Sequence, residues 1–346
     1  MADVTVYGAG IFGLSVAWSC LSRGASVRVI DPYGPGAGAS GGIVGALAPH
    51  VPENWNDKKQ FQFESLIMAE GFWRGVEAAG GKRAGYARSG RLQPVADDKA
   101  LELARSRRAG ASELWQGKAI WEVIEAAKAG DWAPLSPTGW LIRDTLSARM
   151  HPRMACIALV AAIEAKGGEI VAEGPAQGRV LWATGVAGLE EINLETTRTF
   201  GNGVKGQGAS LRIGFDPRDC PQLFADAVHV VPHADGTVAI GSTSERDYDD
   251  PKSVDGQLDE VLERAFAAVP ALAGAEVVER WAGVRPRTRS RAPVLGAHPT
   301  KRGQYIANGG FKIGFGMAPK VGQVMADLLL EGIDRIPEGF RAEASL

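Results

Sequence analysis

The sequence predicts an α/β protein in which a Rossmann-like dinucleotide-binding domain is joined to a second, β-rich domain with an antiparallel sheet. Three observations carry this reading. Val4-Thr5-Val6-Tyr7 is an apolar run leading directly into Gly8-Ala9-Gly10-Ile11-Phe12-Gly13, a G-x-G-x-x-G turn. The next apolar run, Val27-Arg28-Val29-Ile30, ends in Asp31. Further along, the runs 228–232 and 237–241 flank His233-Ala234-Asp235-Gly236, which has the turn chemistry of a hairpin.

Each part of the first unit has a physical reason. Gly8 permits a tight turn, Gly10 lets backbone N–H groups approach a pyrophosphate, and Gly13 lets the helix pack closely on the strand. The phosphates then meet the positive end of a helix whose apolar face is Ile11, Leu14, Ala17, Trp18 and Leu21, stopped by Gly24. Asp31 is placed to accept hydrogen bonds from a ribose diol. An ordinary βα turn would explain the glycines, but not the strand, the helix and the acid together. The loop 32–42 either wraps a bound ligand or links domains, and its place just beyond Asp31 favours wrapping.

Phe61, Leu66, Ala69, Phe72, Trp73 and Val76 predict a helix over 58–79, ended by Gly80-Gly81. Residues 86–144 mix short strands, such as 90–95, with charged helices. A helix over 151–166 stops at Gly167-Gly168 and leads to 169–172 and to the buried strand 180–183, which ends in Thr184-Gly185. The chain closes with a strand over 305–308, the glycine-rich turn 309–316, and a helix with Pro319 near its first turn.

At 346 residues the chain is long enough for two domains. Its 38 basic and 40 acidic residues leave a net charge of −2, so no overall basic field recruits nucleic acid or an anionic membrane. Cys20, Cys156 and Cys220 share no metal-ligand spacing and read as buried thiols. His151, His229, His233 and His298 show no metal spacing either, so no metal is expected. No basic leader and no apolar run of ~18 residues is present, which predicts a soluble, cytoplasmic protein without a membrane span.

GAGIFG with Asp31, then ASGGIVGALAPH (39–50), WATG (182–185), KGQGASL (205–211), VVPHADGTVAIGSTSE (230–245), ERWAGVRPRT (279–288) and NGGFKIGFGMAP (308–319) follow one another along the chain. In this order they resemble the D-amino-acid oxidase superfamily of FAD-dependent amine oxidoreductases, especially its glycine-oxidase and sarcosine-oxidase-like members. The resemblance implies an FAD-binding domain of glutathione-reductase type from 1–85, 145–190 and 280–346, and a substrate domain from 86–144 and 191–279. It implies FAD as cofactor, with Gly8, Gly10, Ile11, Phe12 and Gly13 at the pyrophosphate and Asp31 at the adenosine ribose. Ser40 and Gly41 would add phosphate contacts, while Gly45, Ala46 and Leu47 would pass under the flavin. Ala183, Thr184 and Gly185 would close the adenosine side, Gly283 would also face the cofactor, and Gly309, Gly310, Phe311, Lys312 and Ile313 would run along the pyrimidine end. The helix near Pro319 would aim its positive end at the N1/C2=O region.

Arg285 and Lys312 are the candidate catalytic residues. A guanidinium offers a planar fork for a carboxylate, and the resemblance implies that Arg285 holds an amino acid's carboxylate. Lys312 would steady that carboxylate or the reduced flavin. His50 and Ser244 match positions that line the substrate pocket in relatives, and Arg287, Arg289 and Arg291 are expected to face solvent. The implied reaction is hydride transfer from the α-carbon of a neutral amine to flavin N5, with oxygen or another acceptor taking the electrons. The substrate would be glycine, an N-methyl amino acid or a D-amino acid.

Departures bear on that substrate: relatives often have histidine where this chain has Gly310 and aspartate where it has Ser290. Other readings are a flavin dehydrogenase of a D-amino acid or 2-hydroxy acid, or a tRNA-modifying amine oxidase domain, the last disfavoured by the balanced charge. An NAD-dependent dehydrogenase would leave the C-terminal glycine segment unexplained, and a non-catalytic flavin-binding protein would need Arg285 to face solvent.

Overall fold

The computed structural model describes residues 2–346. Two sheets organise it. The first has six strands in the order Val294–Ala297, Tyr305–Asn308, Arg179–Trp182, Val4–Tyr7, Val27–Ile30 and Glu169–Val171. All neighbours are parallel except the edge strand Val294–Ala297. The second has eight strands in the order Glu276–Thr288, Gly201–Arg212, Val238–Gly241, Val228–Pro232, Gln222–Ala225, Arg91–Pro94, Trp140–Asp144 and Trp121–Glu125. It is antiparallel throughout apart from the Gln222–Ala225 and Arg91–Pro94 pair. The expected α/β class with a β-rich second unit is what forms.

The helix Ile11–Leu21 lies at the centre of the first layer and is buried almost all round, so it is apolar on every face, as a fully covered helix must be. The long helix Asp57–Gly80 is capped by the Asn56 side chain, which accepts the Lys59 N–H, and ends on left-handed Gly81. The C-terminal helix spans Gly314–Ala326, so it starts five residues before Pro319 and carries that proline inside it. Its close approach to Ile11–Leu21 runs through Gly322, where a Cβ would lie 2.5 Å from Ser19 Oγ and 2.7 Å from the Ser15 carbonyl oxygen.

The hairpin forms as its turn chemistry requires, with Pro232 opposite Val238. The strand Glu276–Thr288 belongs wholly to the eight-stranded sheet, so the domain boundary expected at 280 falls inside a strand. Two apolar cores follow the two sheets: one around the six-stranded sheet and its helices, the other between the eight-stranded sheet and the helix Gly256–Ala268. Cys20 and Cys156 are buried thiols pushed up to about 12 by desolvation, whereas Cys220 is only partly covered.

One buried polar device holds the far end of the second sheet. Asp144, fully buried, accepts from Arg91 Nε at 3.0 Å, the Ser147 N–H at 2.7 Å and the Ser147 hydroxyl at 3.0 Å. Asp144→Ala leaves the Arg91 charge buried and unpaired, so it is expected to cost about 3–5 kcal/mol of unfolding free energy. Urea titration checks this, and a loss below ~1 kcal/mol would refute it.

Candidate active site

A cavity of about 740 Å3 opens between the two sheets. Its volume lies within the ~300–1,000 Å3 range of small-molecule sites. Three helices point their N-terminal ends at it, beginning at Ile11, Gly185 and Gly314, and none carries an acid in its first turn to cancel the positive end. Those ends therefore present a positive potential to anionic or electron-rich groups.

The dinucleotide turn is built by contact. Gly8 has φ +101°, and a Cβ there would lie 2.4 Å from the Ala183 carbonyl oxygen; at Gly13 it would lie 1.9 Å from the Gly8 carbonyl oxygen. Asp31 lines the cavity, its carboxylate accepting the Ala9 N–H at 2.7 Å and the Tyr33 N–H at 2.9 Å, which fixes the second strand's end against the turn. The loop after it wraps the cavity, with Pro32, Tyr33 and the run Ala37–Ser40 in the wall. Ser40 Oγ accepts the Ile11 N–H at 2.9 Å, capping the first helix. Ser40→Ala is expected to destabilise the protein by about 1 kcal/mol in denaturant titration, the usual loss for a helix cap; no change would contradict the capping role.

Among the expected cofactor residues, Gly8, Gly10, Ile11, Phe12, Asp31, Ser40, Gly45, Ala46, Leu47, Ala183, Thr184, Gly185, Gly283, Gly309, Gly310, Phe311 and Lys312 all line this cavity. Gly13, Gly41 and Ile313 stand behind its wall: Gly13 and Gly41 let backbone pass close to Gly8 and Gly36, and Ile313 precedes the C-terminal helix. Asn308, buried, ties the turn after Arg179–Trp182 to the turn after Tyr305–Asn308 by donating to the Gly185 carbonyl at 2.8 Å and accepting the Gly309 N–H at 2.7 Å.

Arg285 lies in the cavity wall on Glu276–Thr288. Its Nη2 donates to Ser242 Oγ at 2.8 Å and its Nη1 to the Thr243 carbonyl at 3.4 Å, while its remaining N–H groups have no acceptor among the described residues. Gly206 on the neighbouring strand makes room: a Cβ there would sit 1.7 Å from Arg285 Nη1. Desolvation pulls the guanidinium down to about 10, opposed by the charge of Glu245. Glu245 is buried with Lys205 Nζ at 3.4 Å, and the Thr243 hydroxyl bonds it while the Thr243 carbonyl bonds Arg285.

Lys312 is open to the cavity, 5.7 Å from the centre of the Phe311 ring, and desolvation with Arg285 and Arg287 lowers its pKa. Two expected substrate residues lie elsewhere. Ser244 is exposed and outside the cavity lining; Ser242, two residues earlier, faces Arg285 instead. His50 also stands outside the lining, its Nδ1 2.5 Å from Gln62 Oε1, an oxygen that also accepts the His50 N–H. Trp281, which packs over Gly42 and Gly283, and Val44 are wall residues that sequence reasoning passed over, although both stand in the quoted segments.

The fold gathers His151, His233 and Asp235, with possible ligand atoms within 4.8 Å of one another. His151 Nδ1 accepts the Met154 N–H, so a neutral ring carries its proton on Nε2, which faces Asp235 at 3.4 Å. That contact links the start of the helix Pro152–Ala165 to the turn of the hairpin. No described helix is long and apolar enough to cross a membrane.

Residues 3–328 match the family described as DAO, FAD dependent oxidoreductase. The chain is 28% identical over 362 residues to an uncharacterized oxidoreductase of Bacillus subtilis, covering 95% of each protein. It is 25% identical over 382 residues to the glycine oxidase of Bacillus licheniformis, covering 99% of this chain and 97% of that one. Its fold is that of the glycine oxidase of Geobacillus kaustophilus, with a TM-score of 0.83 at 20% identity over 99% of this chain and 98% of that structure. The chain belongs to the FAD-dependent oxidoreductase family.

Proposed function

We propose that the protein oxidises the C–N bond of a small amino acid or N-alkylated amino acid to an imine, using FAD held along the cavity described above. The residues fit that cofactor. Gly8 and Gly10 leave a turn without side chains, Asp31 stands at the end of the second strand, and three uncancelled helix N-termini face the same space. Gly8, Gly10, Ile11 and Ser40 would hold the phosphates, Asp31 the ribose, and Gly45–Leu47 with Gly309–Lys312 the ring system. The chemistry a bound FAD supplies is acceptance of a hydride.

The chain's own part is positioning and charge. Arg285 clamps the substrate carboxylate with the N–H groups that the protein leaves free, which fixes where the α-carbon stands. Ser242 and Thr243 hold the guanidinium from behind, and Gly206 gives it the space to lie flat against its own sheet. Ile43, Val44, Val284 and Phe315 make the wall apolar, which strengthens each charge interaction inside it. Lys312 and the start of Gly314–Ala326 add positive potential on the same side. The observation that carries this reading is Arg285: a half-buried guanidinium with unpartnered donors, lining the cavity that also holds the dinucleotide turn.

The test is anaerobic mixing of the purified flavoprotein with glycine, N-methyl amino acids and D-amino acids, alongside amines that lack a carboxylate. Loss of the oxidised flavin absorbance with the amino acids but not with the plain amines is expected. Equal bleaching by amines without a carboxylate, or no bleaching by any amino acid, would overturn the assignment.

A further inference from the structure

Arg285 and Lys312 line one end of the cavity and Arg287 stands beside them over the Phe311 ring, and a single α-carboxylate on Arg285 accounts for only one of these three cations. Building on the role given to Arg285 above, we propose that the substrate carries a second acidic group, held by Lys312 in the wall and Arg287 at the rim, so that dicarboxylic amino acids are preferred.

Neither Lys312 nor Arg287 forms an ion pair or a hydrogen bond from its side-chain nitrogens among the described residues. The neighbouring charges that act on them are all positive: Arg285 and Arg287 on Lys312, and Arg291 and Arg246 on Arg287. Together with desolvation, this repulsion lowers the pKa of both groups, the condition that an inserted anion relieves. Elsewhere along the same strand, cations and acids are matched: Arg280 with Asp259, Glu276 with Arg212, and Glu279 with Arg153. The uncompensated charge is confined to the cavity end.

Their placement is fixed as well. The Arg287 guanidinium lies 5.4 Å and the Lys312 ammonium 5.7 Å from the centre of the same Phe311 ring. Phe311 is pinned by its N–H bond to the Pro286 carbonyl at 3.1 Å, which ties the glycine-rich turn to the strand between the two arginines. Strand alternation puts Arg285 and Arg287 on one face about 7 Å apart, a span that two carboxylates on a short amino acid skeleton can bridge.

The experiment compares kcat/KM of the FAD-loaded, full-length protein for iminodiacetate, D-aspartate and D-glutamate with that for glycine, sarcosine and D-alanine. A preference for the dicarboxylates of about tenfold or more is expected, weakening as salt is added. In Arg287→Gln and in Lys312→Met the ratio of dicarboxylate to neutral kcat/KM should fall toward one, and Arg287→Lys should restore part of it. Oxidation of neutral amino acids with a wild-type ratio of one or less, or a ratio that neither variant moves, overturns the second acidic group while leaving the amine-oxidase assignment standing. Failure of every amino acid to bleach the flavin overturns both.

Discussion

Arg285→Lys is expected to lower kcat/KM for the amino acid that bleaches the flavin fastest by about 10²–10³-fold, because truncating one partner of a buried, hydrogen-bonded charge pair costs ~2–5 kcal/mol. Lysine keeps the charge but loses the fork, so the carboxylate is bound by one point instead of two and the α-carbon is held loosely. Most of the loss should fall in KM if the clamp serves ground and transition states alike. The cation is present below its pKa and lost above it; with burial bringing Arg285 down to about 10, wild-type kcat/KM should decline as pH passes that value. Gly206→Ala supplies an independent check, since its Cβ would take the place of Arg285 Nη1 and should raise KM without touching the charge. Steady-state kinetics across the alkaline range would reject the clamp if KM for the amino acid were unchanged in both variants.

Gly13→Ala is expected to have the largest effect on the protein itself. The added Cβ would meet the Gly8 carbonyl oxygen at 1.9 Å, a collision of backbone with backbone that no rotamer relieves. The helix must then move off the strand, at a loss of about 3 kcal/mol or more, and the turn that presents Gly8 and Gly10 to the cavity is lost with it. Gly24→Ala is the control: φ is +88° there, unlike at the helical Gly13, but nothing lies within 4 Å, so only the ~1 kcal/mol strain of a left-handed alanine is expected. Thermal unfolding and the flavin-to-protein ratio measure both. Full flavin retention and an unchanged melting temperature in Gly13→Ala would refute the packing role, and because Gly13 stands behind the cavity wall, a loss cannot be ascribed to a removed ligand contact.

The features that the chain spells out locally are those set by neighbours a few residues away. The strand into GAGIFG, Asp31 at the second strand's end, the hairpin around Asp235-Gly236 and the stop at Gly81 each rest on backbone freedom, side-chain period or capping within one turn or strand, so their spacing is written in the sequence. The last helix begins earlier than Pro319 suggests, since proline normally marks a first turn: Gly314 through Ala318 already turn helically, and the proline gives up one N–H inside the helix.

The long strands Gly201–Arg212 and Glu276–Thr288 carry many polar residues and glycines and acquire their identity from each other, pairing over their whole length. That pairing sets Gly206 under Arg285. Which serine backs the guanidinium is likewise invisible in Gly241-Ser242-Thr243-Ser244-Glu245: Ser242 and Ser244 are alike in sequence, and only the end of the strand Val238–Gly241 beside Gln207 brings the first to Arg285 and leaves the second in solvent. The dinucleotide turn is legible in the sequence because it depends on local geometry, whereas the ordered segments and the arginine in Val-Arg-Pro are singled out by the resemblance they carry. The placement of Arg285 and Lys312 on one cavity with Arg287 beside them over the Phe311 ring, the exclusion of His50 from that cavity and the meeting of His151 with Asp235 came only from the tertiary fold, because contacts between residues distant in the chain are chosen by the packing of whole sheets.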